Sequence, residues 1–416
     1  MNRSVVIIES PDSTIESIES LANKYGDKLY IVSADKRHDY RSNVIKVDIR
    51  KEYDLAKQLI EERLGKPDAI FTTGESFMLH AANLEYDFGL LKNDILVVQK
   101  NRDKEKMKDT WLKKGISTPT GQFFRFSKDI MNAEKNFNYP VIVKPSHGYA
   151  SCGVKKVYST EELQAQINKI FLINSTVIAK ENLQNVGCIV EECIDDEEYS
   201  VDTIWCDGKP ICSGILSKGI AEGPYYPDRL YYTDPFMDDE RKNKILDLSY
   251  KAVKATGLKH GPTHTEIRFK GSVPYVLETT SRPGAGGIFY EIFEKAYGVN
   301  FYEVFYQSLF NHNNDGIKQA AEQGSEQEVE TYFYWYNFPI NEQGTIKEIT
   351  GIDEIESDSN ILRCLPYQKA GSVLYKDDLN SDYFFAVVGK YKRRLNDLNI
   401  IQYTKKLDNK LKIEFL

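Results

Sequence analysis

Four short apolar runs separated by amphipathic stretches occupy the first hundred residues, and this alternation constrains the fold more than any other feature. Val5–Ile8, Leu29–Val32, Val44–Val47 and Ala69–Thr72 are rich in β-branched residues. Runs of that length and type fill strands buried on both faces. Ser13–Tyr25 carries apolar residues at helical spacing (Ile15, Ile18, Leu21, Ala22), and Leu55–Arg63 and Ser76–Tyr86 read as further helices. Strands alternating with helices form a parallel α/β sheet. This first unit is placed at residues 1–98. It contains no GxGxxG, so nothing supports a dinucleotide site there.

At 416 residues the chain has room for two to three domains. Residues 101–115 form a charged amphipathic helix stopped by Gly115 and Pro119. Short strands follow at Val141–Lys144, Lys156–Tyr158, Cys188–Glu192, Tyr199–Trp205 and Ile211–Leu216, with helices near Glu161–Phe171 and Asp239–Thr256. Thr263–Phe269 and Val273–Thr279 are joined by Lys270-Gly271-Ser272, a hairpin signal. A helical stretch, Ile288–Phe310, precedes the polar segment Asn311–Glu330, a linker or surface loop. The remainder is β-rich (Tyr332–Phe338, Phe384–Val388, Leu411–Phe415), which predicts a small third domain over 331–416.

The net charge of −8 makes a nucleic acid a poor partner, although a local cluster can still hold one small anion such as a nucleotide. The six cysteines form no CxxC pair and have no histidine at ligand spacing, so zinc is not expected. The amino terminus reads as a first strand and not as an export signal, which predicts reduced thiols. No stretch approaches the ~20 apolar residues of a membrane helix. The expectation is a soluble cytoplasmic protein with no membrane partner.

Three segments carry chemistry. In Val141-Ile-Val-Lys144-Pro145-Ser146-His147-Gly148-Tyr149-Ala150-Ser151-Cys152-Gly153, a buried strand delivers a lysine to a loop of small residues. Backbone N–H groups of such a loop can approach phosphate oxygens while the lysine adds a point charge. No GxxxxGK[ST] occurs, so this is not a P-loop. Ile189-Val-Glu191-Glu192-Cys193-Ile194-Asp195-Asp196-Glu197-Glu198 places an acidic turn between two apolar strands. A carboxylate there can accept from ribose hydroxyls, though the same pattern suits a plain acidic hairpin. Finally, His264-Thr-Glu266 and Glu278-Thr-Thr-Ser-Arg282-Pro-Gly-Ala-Gly-Gly287 lie on the two arms of the hairpin. Facing glutamates suit Mg²⁺, which takes one or two carboxylates and completes its shell with phosphate and water. Arg282 just beyond can serve a developing oxyanion. A salt-bridged hairpin is the plainer reading.

Taken in order, these segments resemble the ATP-grasp superfamily over residues 100–310. Its pattern has a lysine on the leading helix (here Arg102-Asp103-Lys104), a lysine before a Gly-rich lid (Lys144-Pro145), a hinge (Glu191 with Glu198), and a G…H-x-E…E…R ending (Gly261, His264, Glu266, Glu278, Arg282). The first unit, with Thr73-Gly74-Glu75, looks like the pre-grasp domain. The resemblance implies an α/β chain of ATP-grasp fold: pre-grasp at 1–98, ATP-grasp domain at 99–310 with a lid subdomain near 115–190, and a carboxyl-terminal β-rich domain like that of biotin-carboxylase-like members.

It implies roles residue by residue. Lys104 and Lys144 meet the ATP phosphates. Ser146–Gly153 is the lid, with Ser146, His147, Gly148, Ser151 and Gly153 at the nucleotide. Glu191, Glu192 and Ile194 meet adenine, and Glu198 meets the ribose. Glu266 and Glu278 bind one or two Mg²⁺, with Mn²⁺ an alternative. Arg282, with Lys144, is catalytic. Thr280 stands where many members have a ligating Asn, which puts its role as a ligand in doubt. The wording around His264 looks most like the L-amino acid ligases. The implied reaction joins a small carboxylate to an amine through an acylphosphate, with ADP released, in a chain that can work as a homodimer. Ligation onto a carrier protein or biosynthetic amine is a variant. Biotin-carboxylase-like chemistry is the rival, although Pro-Gly-Ala-Gly-Gly after Arg282 departs from it. A non-catalytic nucleotide sensor is the other class. His147, His264, Tyr225, Tyr226, Tyr231 and Tyr232 are substrate-pocket candidates.

Overall fold

The computed structural model describes residues 2–133, 137–148, 150–176, 186–220, 223–310, 330–376, 383–393 and 399–416. Four parallel strands open it, in the spatial order Val44–Lys46, Lys28–Ser33, Ser4–Ile8, Ala69–Thr72. Val5, Val6, Ile7 and Ile8 are fully buried because Ser4–Ile8 has a strand on each side and helices on both faces. Chain order reverses at this strand. The loops after Ile8 and Thr72 therefore diverge and leave a crevice at the carboxyl ends of the strands.

The expected helix over 101–115 is the single helix Lys104–Lys113, and a separate short helix, Ile95–Lys100, precedes it. Asp103 breaks them apart by capping the second, its side chain accepting from Lys106 N. This puts Lys104 in the first helical turn, where its own N–H bonds to Ser146 O at 3.0 Å. Next comes a four-stranded antiparallel sheet in the order Gly121–Phe124, Cys188–Glu192, Val141–Pro145, Lys155–Val157, backed by the helix Thr160–Thr176.

The largest sheet has eight strands, all antiparallel: Val273–Thr280, Gly261–Lys270, Glu197–Cys206, Lys209–Ile220, Leu230–Tyr232, Thr331–Asn337, Phe385–Lys392 and Ile361–Pro366. The strands after residue 330 thus extend the central sheet, while Gly344–Thr350, Val373–Leu374 and Lys412–Phe415 make a small sheet of their own.

The stretch 288–310 is two helices, Ile288–Tyr297 and Phe301–Ser308, because Gly298 ends the first at φ 69° and Asn300 caps the second. These helices carry Phe289, Phe293, Phe301 and Phe305 into one core with Val5, Ile7 and Ile15 on one side and Ile204, Leu216 and Trp335 on the other. The amino-terminal sheet is thereby packed to the central sheet, and the crevice faces the hairpin. The polar segment 311–329 lies outside the described residues. Among the described residues no helix is long and apolar enough to cross a membrane.

Candidate active site

The hairpin sets the first pair of groups. Gly271, at φ 62°, turns the chain, and the register puts Glu266 directly opposite Glu278. The Lys104 ammonium lies 2.9 Å from Glu278 Oε2 and donates to Gly148 O at 3.0 Å. Burial disfavours both charges, but the attraction between them wins: the Glu278 carboxyl is held down and the Lys104 ammonium held protonated. Glu266 Oε1 has Lys218 Nζ at 3.5 Å and His264 Nε2 at 3.7 Å.

Glu191 is buried between two ammoniums, Lys144 and Lys108, each at 2.6 Å. Lys108 also donates to Thr118 Oγ1 and Pro119 O. Burial pushes Lys108 down to about 8, with Glu191 opposing and Lys144 assisting. One carboxylate between two cations leaves net positive charge at the end of the strand Val141–Pro145. Glu192, one residue on, turns outward and accepts from Thr120 N and from Lys270.

Glu198 is buried as well. Arg268 donates to its Oε2 at 2.6 Å, and Lys218 pairs with Oε1. Arg268 also reaches Ile194 O at 3.0 Å and lies 4.5 Å from the Tyr226 ring. Lys218 continues to Asp228, which accepts from Tyr231 and Tyr383 as well.

Across the crevice, Arg282 Nε donates to Glu75 Oε2 at 2.7 Å, and Arg102 Nε reaches the other oxygen at 3.3 Å. Arg282 is also tied to Pro283 O. The following loop passes through left-handed conformations at Ala285, Gly286 and Gly287, with Gly286 O held by the Thr14 hydroxyl at 2.6 Å. Asp202, fully buried, braces this loop by accepting from Gly284 N at 2.6 Å and pairing with His264 Nδ1 at 2.8 Å. Burial disfavours the imidazolium, yet Asp202, joined by Glu266, outweighs it and lifts His264 to about 9.

These groups surround one cavity of about 1330 Å³. Every sequence-predicted site residue lines it except Ser146 and Gly153. The Ser146 hydroxyl accepts from Gly187 N at 3.0 Å and ties together the ends of the strands Val141–Pro145 and Cys188–Glu192. Gly153 packs on Pro145 and Ile173. His147 is in the wall, pushed down to about 4 by burial, 4.0 Å from Asp103. Of the substrate-pocket candidates, Tyr232 alone lies off the cavity, in the carboxyl-terminal core. An aromatic wall of Tyr231, Phe289, Trp335 and Tyr383 closes the far end.

Sequence reasoning missed Lys108, Lys218, Asp228 and Arg268. Nothing in the sequence marked Arg268 or Lys218, because each sits in a strand that already carries several other polar residues. Residue spacing also gave no histidine near a cysteine, whereas folding brings His260 to Cys206 and Asp207, with candidate ligand atoms within 4.8 Å. That cluster lies off the cavity. His260 already pairs with Asp207, and the Lys92 ammonium acts on Cys206 and Asp207 there, opposing a cation.

Residues 137–290 match the ATP-grasp domain family. The chain is 26% identical to the alanine–anticapsin ligase of Bacillus subtilis (strain 168), over 73% of this chain and 69% of that protein. It is 26% identical to an L-arginine-specific L-amino acid ligase of Bacillus subtilis, over 82% of this chain and 80% of that protein. The crystal structure of an L-amino acid ligase from Bacillus licheniformis superposes with a TM-score of 0.85 at 21% identity, covering 100% of this chain and 99% of that chain.

Proposed function

From a chain that carries an ATP-grasp domain and has the ATP-grasp fold throughout, we propose an ADP-forming carboxylate–amine ligase that joins L-amino acids through an acylphosphate. The observation that carries this reading is the convergence on one cavity of an opposed carboxylate pair, Glu266 and Glu278, two lysines, Lys104 and Lys144, and a half-buried arginine, Arg282. The similarity to amino acid ligases supports it.

Lys104 and Lys144 hold the nucleotide phosphates, each drawn from a carboxylate it pairs with in the free protein. Glu191, Glu192 and Ile194 border the adenine, and Glu198 takes the ribose. The donor set at Glu266 and Glu278 fits Mg²⁺, with Mn²⁺ able to replace it; the cation supplies charge neutralisation at the phosphates. A substrate carboxylate oxygen attacks the γ-phosphorus, forming a P–O bond as the bond to the ADP oxygen breaks. The second substrate's amine then attacks the acyl carbon, a C–N bond forms, and phosphate leaves after the amine loses a proton. Arg282, held by Glu75 and Pro283 O, offers fixed donors to the oxyanion of that second step. Enclosure under the lid protects the acylphosphate from water. The six free thiols accord with a cytoplasmic location.

The test is phosphate release from ATP and Mg²⁺ with pairs of amino acids, followed by mass spectrometry of the products. The reading expects amine-dependent ADP formation and a dehydrated adduct for at least one pair. Nucleotide binding without ADP formation for any pair would assign the chain to the sensor class.

A further inference from the structure

Resting on the reading of Glu198 as the ribose carboxylate, we propose that Arg268 is a positioning residue for nucleotide specificity, holding Glu198 and the hinge carbonyl of Ile194 in one rigid frame. A single guanidinium makes all the contacts involved. Its Nε and Nη2 both lie 2.6 Å from Glu198 Oε2, and its Nη1 donates to Ile194 O at 3.0 Å. The Tyr226 ring lies 4.5 Å from the guanidinium carbon, and both Arg268 and Glu198 are buried.

The two cations on Glu198 differ in kind. Lys218 is a single ammonium on a flexible stem, with Asp228 at 3.0 Å and Glu266 at 3.5 Å as alternative partners. It can leave Glu198 without losing charge compensation. Arg268 is a planar fork that grips one carboxylate oxygen and a carbonyl at once, and a lysine cannot reproduce that. Oε2 is therefore the fixed oxygen, and Oε1 is the one a ribose hydroxyl can take when Lys218 turns away. Because the same fork pins Ile194, the distance between the ribose contact and the hinge backbone is set by one side chain.

The experiment measures the affinity of the full chain for ATP and for 2′-deoxy-ATP, and the KM and kcat for ATP, in the parent, Arg268→Met, Arg268→Lys and Glu198→Gln. The parent is expected to prefer ATP at least tenfold. Arg268→Met should reduce the preference to threefold or less, with more of its effect in KM than in kcat, and Arg268→Lys should fall between. An undiminished preference in both Arg268 variants overturns the inference. Should Arg268→Met fail to fold by circular dichroism, the ratio for Arg268→Lys decides alone. If Glu198→Gln loses the preference while the Arg268 variants keep it, only the positioning role fails. If Glu198→Gln keeps it, or the parent shows none, the reading of Glu198 itself fails and the inference with it.

Discussion

Glu266 and Glu278 stand opposite one another across an antiparallel strand pair, a relationship that a slip of one residue would destroy by turning one of them to the other face. Their separation in sequence is short, but only the hairpin register makes them one site. Glu278→Gln keeps the size of the side chain and a hydrogen-bond acceptor for Lys104 while removing the charge. Turnover should fall by a factor on the order of 10² or more. Amino-acid-dependent phosphate release at saturating Mg²⁺, with a melting curve to show the fold intact, checks this. Turnover within tenfold of the parent would remove Glu278 from the metal site.

Arg282 should separate binding from chemistry. It meets Glu75 and Pro283 O, while the groups assigned to adenine, ribose and phosphates are Glu191, Glu198, Lys104 and Lys144. Arg282→Ala and Arg282→Lys should leave ATP affinity within a few-fold and lower product formation by about 10² or more, the usual cost of one lost oxyanion donor. Lysine is not a safe replacement because it lacks the planar fork. Product formed at the parent rate by Arg282→Ala would end the catalytic assignment.

The parts of this site that were legible in sequence are those carried by local spacing. The run Val141–Lys144, the hairpin around Gly271 and the order of the glutamates each follow from a few neighbouring residues. What sequence could not show is which carboxylate meets which cation. Glu191 reads as an adenine contact, yet in the free protein it is an acid clamped by Lys108 and Lys144, from a helix and a strand far apart in the chain. The Glu75–Arg282 contact joins residues 207 positions apart and exists only because the helices after Ile288 pack the first sheet to the central one. Periodicity also ran through the helix break at Gly298, because apolar spacing continued across a cap that interrupts the backbone. Short strands such as Leu230–Tyr232, supported by partners on both sides in the sheet, carried too little pattern to be seen.

The lid should respond to nucleotide. Lys104 already bonds to Ser146 O through its N–H and to Gly148 O through its ammonium, so drawing that ammonium to a phosphate exchanges one tether of the loop for another. Glycines such as Gly148 and Gly153 lose the most backbone entropy when fixed. Hydrogen exchange over residues 146–148 and 150–153 should slow by tenfold or more when ATP and Mg²⁺ are added. Equal protection with and without nucleotide would mean that this loop does not gate the cavity.

His264 ties stability to pH. Its ordinary value is 6.5, and despite burial the Asp202 carboxylate, with Glu266 assisting, raises it to about 9 in the folded protein. A raised pKa means that folding favours the protonated form. The Asp202–imidazolium pair therefore contributes in full below pH 6.5, and the contribution is lost as pH climbs from 6.5 through 9. The gap between those values corresponds to about 3 kcal/mol. His264→Gln removes the titration while leaving Asp202 its bond from Gly284 N. The difference in unfolding free energy between parent and variant should be largest near pH 6 and shrink by roughly that amount towards pH 9.5. Denaturant titrations at half-unit pH steps measure it. Parallel curves for parent and variant would show that His264 binds its proton equally in the folded and unfolded chain, and that the 2.8 Å contact with Asp202 does not favour the imidazolium.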